Sequence, residues 1–154
     1  MTRRDAIAAF LVLSVVALLV AALIAVPGPR GANALAADPS CQRSRGTVVI
    51  DLDNDRHGAV LRHAWFAIRR DDQPEHLTVA RAQADRNRQA SLRNWPTRTG
   101  FDRDEYPPAV SDQGGAGAHV RYVRSSVNRS AGAVMGAQLR PYCDGQRFRY
   151  ERRP

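Results

Sequence analysis

Residues 100–108 read "GFDRDEYPP", with three acids and one arginine in four consecutive positions. A glycine precedes this cluster and two prolines follow it, so the segment is too short and too proline-bound to be a helix. Surface charges usually scatter along a chain, and this chain is otherwise basic. The concentration of Asp102, Asp104 and Glu105 therefore marks the first candidate for a functional site.

The sequence after the cluster predicts the structure around it. Residues 114–117 read "GGAG", which indicates a turn, and residues 118–125 alternate as a strand does. The pattern then predicts a helix over residues 130–139, with Asn128 at its start. If residues 101–105 pair with the predicted strand, the unit is strand–turn–strand–helix, and the acids come close to the start of the helix.

An acidic cluster beside an asparagine has two interpretations. Hard oxygen ligands that converge on one point suit Mg²⁺ or Mn²⁺, and Mg²⁺ usually takes only one or two protein ligands. The alternative is a structural loop held by ion pairs such as Asp102 with Arg103. The residues alone leave both interpretations open.

The rest of the sequence predicts one mixed α+β domain over residues 47–154, without internal repeats, after a linker at 37–46. Asn54 or Asp55 is available to cap its first helix. The other expected elements are strands at 47–53, 76–80 and 147–151, helices at 54–70 and 81–92, and a loop throughout 93–108.

The N-terminus predicts export. Residues 6–26 are apolar and uncharged, long enough to span a bilayer as a helix, and arginines precede them. "ALA" at 34–36 has the small-x-small form of a signal peptidase site. One interpretation is a signal peptide, residues 1–36, cleaved after Ala36; the alternative is an uncleaved anchor that tethers the protein to the membrane through 6–26.

Charge and cysteine content narrow the classes of partner. The chain carries 23 basic residues, all arginine, against 15 acids, a net charge of +8. Because the arginine fork matches phosphate oxygens, such a domain suits a polyanion: nucleic acid, a teichoic-type polymer or anionic lipid. The two cysteines, Cys41 and Cys143, predict one disulfide in an exported chain rather than a metal site. Small size and high charge favour a monomer.

Several segments in the same order resemble the NucA/NucB family of small secreted bacterial deoxyribonucleases. They are "SLRNWPTRTG", "FDRDEYP", "QGGAGAHVRYV" and "NRSAG", with "LRHA" earlier in the chain, and together they cover about residues 57–140. The resemblance implies a compact ββα-metal (His-Me finger-like) nuclease fold, a divalent metal, Mg²⁺ or Mn²⁺, and a DNA substrate. It also implies that an acid replaces the usual histidine base.

On this resemblance, the acids form a hydrolytic site. Asp104 is the first candidate for the general base and Glu105 the close competitor, and the sequence does not separate them. Asn128 and Glu105 are the candidate metal ligands, and Asp102 would orient Arg103 or hold a metal-bound water. The candidate substrate-binding residues are Arg103, Arg121 and Arg129.

Each assignment has a structural rival. Asn128 could serve only as the N-cap of its helix. His63, on a helix face beside alanines, is more typical of a structural histidine than of a catalytic one. His119 leads a strand near the site and is a weaker candidate for the base.

The predicted function is a secreted, metal-dependent, non-specific endodeoxyribonuclease that hydrolyses phosphodiester bonds of extracellular DNA. Non-specificity is expected because arginines on phosphates give affinity without base readout. The alternative is a non-catalytic exported basic domain that binds nucleic acid or an anionic cell-wall polymer. A pure polyanion binder gains nothing from acids in a basic groove, so "DRDE" favours chemistry. A membrane-anchored structural protein is the third and weakest candidate.

Overall fold

A computed structural model describes residues 40–151 of the chain. This part confirms the α+β class, with three α-helices and five β-strands. In chain order they are β1 (Val48–Ile50), α1 (Asn54–Arg70), β2 (Leu77–Thr78), α2 (Ala84–Leu92), β3 (Phe101–Tyr106), β4 (His119–Arg124), α3 (Ser125–Leu139) and β5 (Arg147–Tyr150). The predicted signal or anchor, residues 1–36, lies outside the described residues. Within residues 40–151, no helix has the length and apolar character needed to span a membrane.

The core lies on a small sheet whose central strand is β5. β1 pairs with β5 in parallel and β2 pairs with it antiparallel, so Phe148 faces both Val48 and Leu77 in the register. Phe148 and Leu77 are fully buried. The apolar face of α1 covers this core and also packs against α3. The core residues are Ile50, Leu52, Val60, Leu61, Ala64, Ala67, Leu77, Val79, Tyr106, Val123, Ala131, Leu139, Phe148 and Tyr150.

β3 and β4 form a separate antiparallel hairpin that carries the acidic cluster. Their register runs from Phe101 opposite Arg124 to Tyr106 opposite His119. The prediction of a loop throughout 93–108 is therefore wrong for Phe101–Tyr106, whereas the conditional pairing of 101–105 with the next strand is confirmed. Polar residues have low intrinsic strand preference, and here the pairing with β4 overrides it.

α3 follows β4 directly, and it begins five residues earlier than the sequence predicts. It starts at Ser125 rather than at residue 130, and Arg124 occupies the N-cap position without a side-chain cap bond. The hydroxyl of Ser125 donates to Asp102 Oδ1 at 2.8 Å, which ties the helix start to β3. Asn128 therefore lies inside the helix, and its assignment as an N-cap residue is wrong.

α1 begins one residue after its cap. The carboxylate of Asp53 accepts hydrogen bonds from the backbone N–H groups of Asp55 and Arg56 at 2.9 and 3.0 Å, so Asp53, and neither Asn54 nor Asp55, is the N-cap. Asp53 satisfies two N–H groups that have no partner within the helix.

A disulfide joins Cys41 to Cys143, as the cysteine count predicts. The chain beside it is hydrogen bonded to the domain: Gln42 N–H donates to Pro141 O at 2.7 Å, and Cys143 N–H donates to Gln42 O at 2.9 Å. Part of the segment expected as a linker, residues 41–46, thus packs against the segment that leads into β5.

Candidate active site

One cavity, of about 170 Å³, brings most of the sequence-predicted site residues together. It lies between β3, α3 and residues 108–110, and apolar core residues form part of its wall. Its charged and polar lining residues are Arg88, Arg103, Asp104, Glu105 and Asn128. Acids and arginines in one concave site are able to bind a cation and a phosphate together, which suits metal-assisted phosphodiester hydrolysis.

Asp104 is held by a histidine from α1. Its Oδ2 lies 2.6 Å from Nδ1 of His63, and the Asp104 side chain is only 14% exposed, whereas His63 is fully buried. The buried His63 therefore holds the carboxylate of Asp104 in place at the cavity. The sequence pattern predicts a structural role for His63, and the structure places it directly against the candidate base.

The contacts of His63 continue to the surface. Its Nε2 lies 2.7 Å from Nδ1 of His119, and Nε2 of His119 lies 3.3 Å from Oδ2 of Asp71. The side chains of His119 and Asp71 are 27% and 39% exposed. His63 therefore lies between His119 and Asp104, and His119 does not line the cavity.

Asp104 and Glu105 both line the cavity, but because side chains alternate along a strand, the carboxylate of Glu105 meets α2 whereas that of Asp104 meets α1. Oε1 of Glu105 accepts a hydrogen bond from the hydroxyl of Ser91 on α2. Burial raises the pKa of Glu105, while the bond from Ser91 and the positive charge of Arg88 lower it; repulsion from Asp104 is a smaller raising effect. The two adjacent acids therefore have different environments.

Asp102 is an anchoring carboxylate, and it does not pair with Arg103. Arg129 donates to it through Nε at 2.9 Å and through Nη2 at 3.1 Å, in addition to the bond from Ser125. These bonds hold the pKa of Asp102 below its usual value. Arg103 instead donates through Nη1 to the carbonyl oxygen of Trp95 at 2.7 Å and lines the cavity. The expected Asp102–Arg103 pair is wrong, because the two side chains alternate across the strand.

Arg121 and Arg129 lie outside the cavity lining. Arg129 is 75% exposed and joined to Asp102. Arg121 stands opposite Asp104 in the hairpin register, and its guanidinium carbon lies 5.3 Å from the ring centre of Phe66. It contributes to a second depression, called here the arginine groove and lined by Asn54, Leu61, Arg62, Trp65, Phe66, Arg69, Arg70 and Arg121.

Comparison with known proteins bears on this geometry. A family model described as Deoxyribonuclease NucA/NucB matches residues 52–150, which include β3, β4, α3 and every residue of the cavity lining. The chain belongs to the NucA/NucB family. It is also similar to a "DNA-entry nuclease" of Bacillus subtilis (strain 168), with 38% identity over 92 residues. That match covers 60% of this chain and 62% of the relative, so the chain spans less than two thirds of the relative's length.

Two side chains of the cavity in this NucA/NucB chain have the chemistry to hold a divalent cation. Glu105 supplies a carboxylate and Asn128 an amide oxygen, and both line the cavity. Within residues 40–151, no group of three or more His, Cys, Asp or Glu side chains is arranged to hold a metal. Mg²⁺ commonly takes one or two protein ligands and keeps its waters, so two hard oxygen donors suit Mg²⁺ or Mn²⁺ rather than a soft metal.

Two residues of the site were missed in the sequence. Arg88 lines the cavity and Ser91 binds Glu105, and both lie on α2, which the sequence predicted only as a polar helix. Asn87, on the same helix, donates to the carbonyl oxygens of Ala109 and Ser111 at 3.0 and 2.9 Å. Positions 87, 88 and 91 recur at helical spacing, and this periodicity is the signal for a polar face turned inward.

The glycine turn holds residues 108–111 against the site. A Cβ at Gly114 would lie 2.7 Å from the carbonyl oxygen of Pro108, so only glycine fits there. Gly115 has a φ of +104°, and a Cβ there would lie 3.0 Å from Asn87 Oδ1. The "GG" pair thus permits the close approach of chain segments that completes one wall of the cavity.

Proposed function

We propose that this protein is a metal-dependent endodeoxyribonuclease that hydrolyses phosphodiester bonds of DNA outside the cytoplasm. The observation that carries the proposal is the single cavity shared by Asp104, Glu105 and Asn128 with two arginines. Membership of a deoxyribonuclease family and the name of the Bacillus subtilis relative support the same substrate.

Asp104 is the proposed general base. Its Oδ2 is held by His63, which leaves Oδ1 to accept the proton of the attacking water. Glu105 is less suited because the hydroxyl of Ser91 occupies one of its oxygens and burial favours its neutral form. The water oxygen forms a bond to phosphorus, the bond from phosphorus to the leaving 3′ oxygen breaks, and Asp104 takes the water's proton.

Glu105 and Asn128 are the proposed metal ligands. Mg²⁺ or Mn²⁺ would supply charge neutralisation for the phosphate and for the leaving oxygen. Arg88 and Arg103 would bind the remaining phosphate oxygens, and the bond from Arg103 to the carbonyl of Trp95 orients its guanidinium group before substrate arrives. Arg129, joined to Asp102, is assigned mainly to holding α3 on β3.

The arginine groove is the proposed path of the DNA backbone beyond the scissile phosphate. Within residues 40–151, Arg62, Arg69, Arg70 and Arg121 form no ion pair with a carboxylate, so their charge is available to phosphates. Arg121 connects this groove with the hydrolytic site because it is the cross-strand neighbour of Asp104. Phosphate contacts carry no sequence information, which supports a non-specific nuclease.

Export and the compartment are part of the proposal. The disulfide between Cys41 and Cys143 suits an oxidising environment. The apolar segment 6–26 would deliver the domain there, either as part of a signal peptide cleaved after Ala36 or as a membrane tether. A monomer is sufficient, since every proposed site residue comes from one chain.

Plasmid degradation tests the proposal most directly. Purified protein is incubated with supercoiled DNA in Mg²⁺, Mn²⁺ or EDTA, beside Asp104→Asn and Glu105→Gln. Asp104→Asn should lower kcat by at least about 10²-fold at saturating metal, because a general base contributes about 10²–10⁴-fold. Glu105→Gln should instead raise the metal concentration needed for half-maximal rate. Asp55→Asn, at an exposed acid on α1, is the matched control and should cut like wild type.

The outcome also separates the two function classes. Metal-dependent cutting that survives both substitutions would refute the assigned site. Protein that shifts DNA in a gel at low salt but never cuts it with either metal would replace the nuclease by the non-catalytic binding domain. Protein found only in the culture medium would exclude the uncleaved membrane anchor.

A further inference from the structure

We propose that His63 and His119 are positioning residues that act through Asp104, within a row of polar side-chain contacts that begins at Asp71 on the surface. The row consists of Asp71, His119, His63 and Asp104, and its successive contacts are 3.3, 2.7 and 2.6 Å. The inference rests on the proposed function only for the role of Asp104 as base. The geometry of the row is independent of it.

The direction of each hydrogen bond follows from which atoms can donate. An ionised Asp104 only accepts, so Nδ1 of His63 must carry a proton toward it. A neutral imidazole has one N–H, so Nε2 of His63 is then an acceptor and requires a donor. Nδ1 of His119, at 2.7 Å, is that donor. His119 therefore supports the tautomer of His63 that can hold the carboxylate, because it donates to the nitrogen that this tautomer leaves unprotonated.

Asp71 favours the form of His119 that donates. A histidine with Nδ1–H alone presents a lone pair at Nε2, whereas the protonated ring also carries a proton on Nε2, which lies 3.3 Å from Oδ2 of Asp71 as an ion-pair contact. The net effect on the pKa of His119 is a lowering, which comes first from burial and is reinforced by His63 and Arg121, and Asp71 acts against it. Phe66 covers the ring with its centroid 5.5 Å away. Asp71 thus counteracts, but does not reverse, the lowering of the pKa of His119 by the other groups that face the ring.

Packing alone does not explain why both ring nitrogens of His63 have hydrogen-bond partners. His57, on the same helix and also buried, makes one hydrogen bond, from Nε2 to Ser130 at 3.0 Å, and its Nδ1 has no partner among the described residues. The fold therefore tolerates a buried histidine with one nitrogen bonded. Both nitrogens of His63 are bonded, and the contact at one end is with the candidate base.

Two readouts on the full-length chain test the inference. The first is the side-chain ¹⁵N spectrum of the metal-free protein, which reports the protonated nitrogen of each histidine without any reaction. In wild type, His63 should carry its proton on Nδ1. His119→Phe should abolish that preference, whereas His119→Gln should retain it, because the amide N–H can still donate to Nε2 of His63. His76→Phe, at the exposed histidine outside the row, is the matched control.

The second readout is steady-state cleavage of plasmid DNA. His119→Phe should lower kcat by about 10²-fold with KM unchanged, as expected when a reacting group loses its orientation. His119→Gln should recover most of the rate, and Asp71→Ala, at a partly exposed position that leaves the core intact, should cause a smaller loss. His76→Phe should match wild type in both readouts.

Three results would overturn the inference. The first is a wild-type His63 that carries its proton on Nε2. The second is His119→Phe with an unchanged spectrum and unchanged kcat, and the third is equal losses in His119→Phe and His119→Gln. Wild type that shows the expected spectrum but cuts no DNA with Mg²⁺ or Mn²⁺ would overturn the proposed function and the catalytic part of this inference. The direction of the hydrogen bonds in the row would then stand on the spectrum alone.

Discussion

Removal of the disulfide gives the prediction with the best-defined magnitude. The bond closes a loop with a sequence separation of 102 residues, which contains nearly all of the core. In the chain-entropy treatment, removing a crosslink that closes a loop of about 100 residues lets the unfolded chain regain conformational entropy. The free energy of unfolding should therefore fall by about 4.7 kcal/mol. At roughly 4 °C per kcal/mol for a domain of this size, Tm should fall by about 15–20 °C.

Thermal unfolding of a Cys41→Ala, Cys143→Ala double variant measures this effect, beside wild type with and without reductant. Reduced wild type should melt with the double variant, because both lose the same constraint. The urea m-value should rise, since an unconstrained unfolded chain exposes more surface. Neither cysteine lines the cavity, so kcat well below Tm should remain that of wild type.

A fall in Tm of less than about 4 °C, equivalent to about 1 kcal/mol, would refute the reasoning. It would mean that the unfolded chain is compact without the bond, so that the loop-closure entropy is not recovered. A fall of the expected size accompanied by loss of kcat would refute a different step. It would show that the geometry of the cavity depends on the segment that the disulfide holds in place beside Cys41.

Three further predictions concern single sites. The pKa of Asp102 is lower in the folded protein than its unfolded value near 3.8, so the folded state gains stability that is complete above pH 3.8 and is lost as pH falls through the folded pKa. Asp102→Asn should therefore reduce the loss of stability at acidic pH, as measured by urea unfolding at a series of pH values. Gly115→Ala should cost about 1–3 kcal/mol in denaturant unfolding because of its positive φ, whereas Gly136→Ala, inside α3 with open space around it, should stabilise by about 0.5–1 kcal/mol. Arg62→Gln and Arg69→Gln should each reduce the salt dependence of DNA binding, the slope of log K against log salt, by about 1, and unchanged slopes would exclude the arginine groove from the DNA path.

The sequence predicts the helices and the site segment well, because both are local in origin. The periodic apolar residues of α1 and the "DRDE" cluster are visible without tertiary information. The strand β3 is not, since its polar residues become extended only through pairing with β4. The early start of α3 is also a tertiary effect, because the bond from Ser125 to Asp102 fixes it.

Partners of the acids are the part of the site that sequence does not reveal. His63 precedes Asp104 by 41 positions and Ser91 precedes Glu105 by 14, so no local spacing connects them. Arg88 lacks a motif of its own and becomes a site residue only where α2 packs beside the hairpin. To identify such residues, one needs to know how β3 pairs with β4. From the sequence, this pairing can be stated only as a condition and not as a prediction.

The acidic cluster is tolerated because its members do not share one environment. Mutual repulsion does not dominate the pKa values of the cluster, since Asp102 has a lowered pKa and the raised pKa of Glu105 comes first from burial. Alternation along β3 directs the adjacent acids Asp104 and Glu105 to different helices. Arg129 binds the first acid, His63 binds Asp104, and a serine hydroxyl binds the third. A segment of four residues can thus carry an anchoring carboxylate, the proposed base and a proposed metal ligand, because each carboxylate has its own donor.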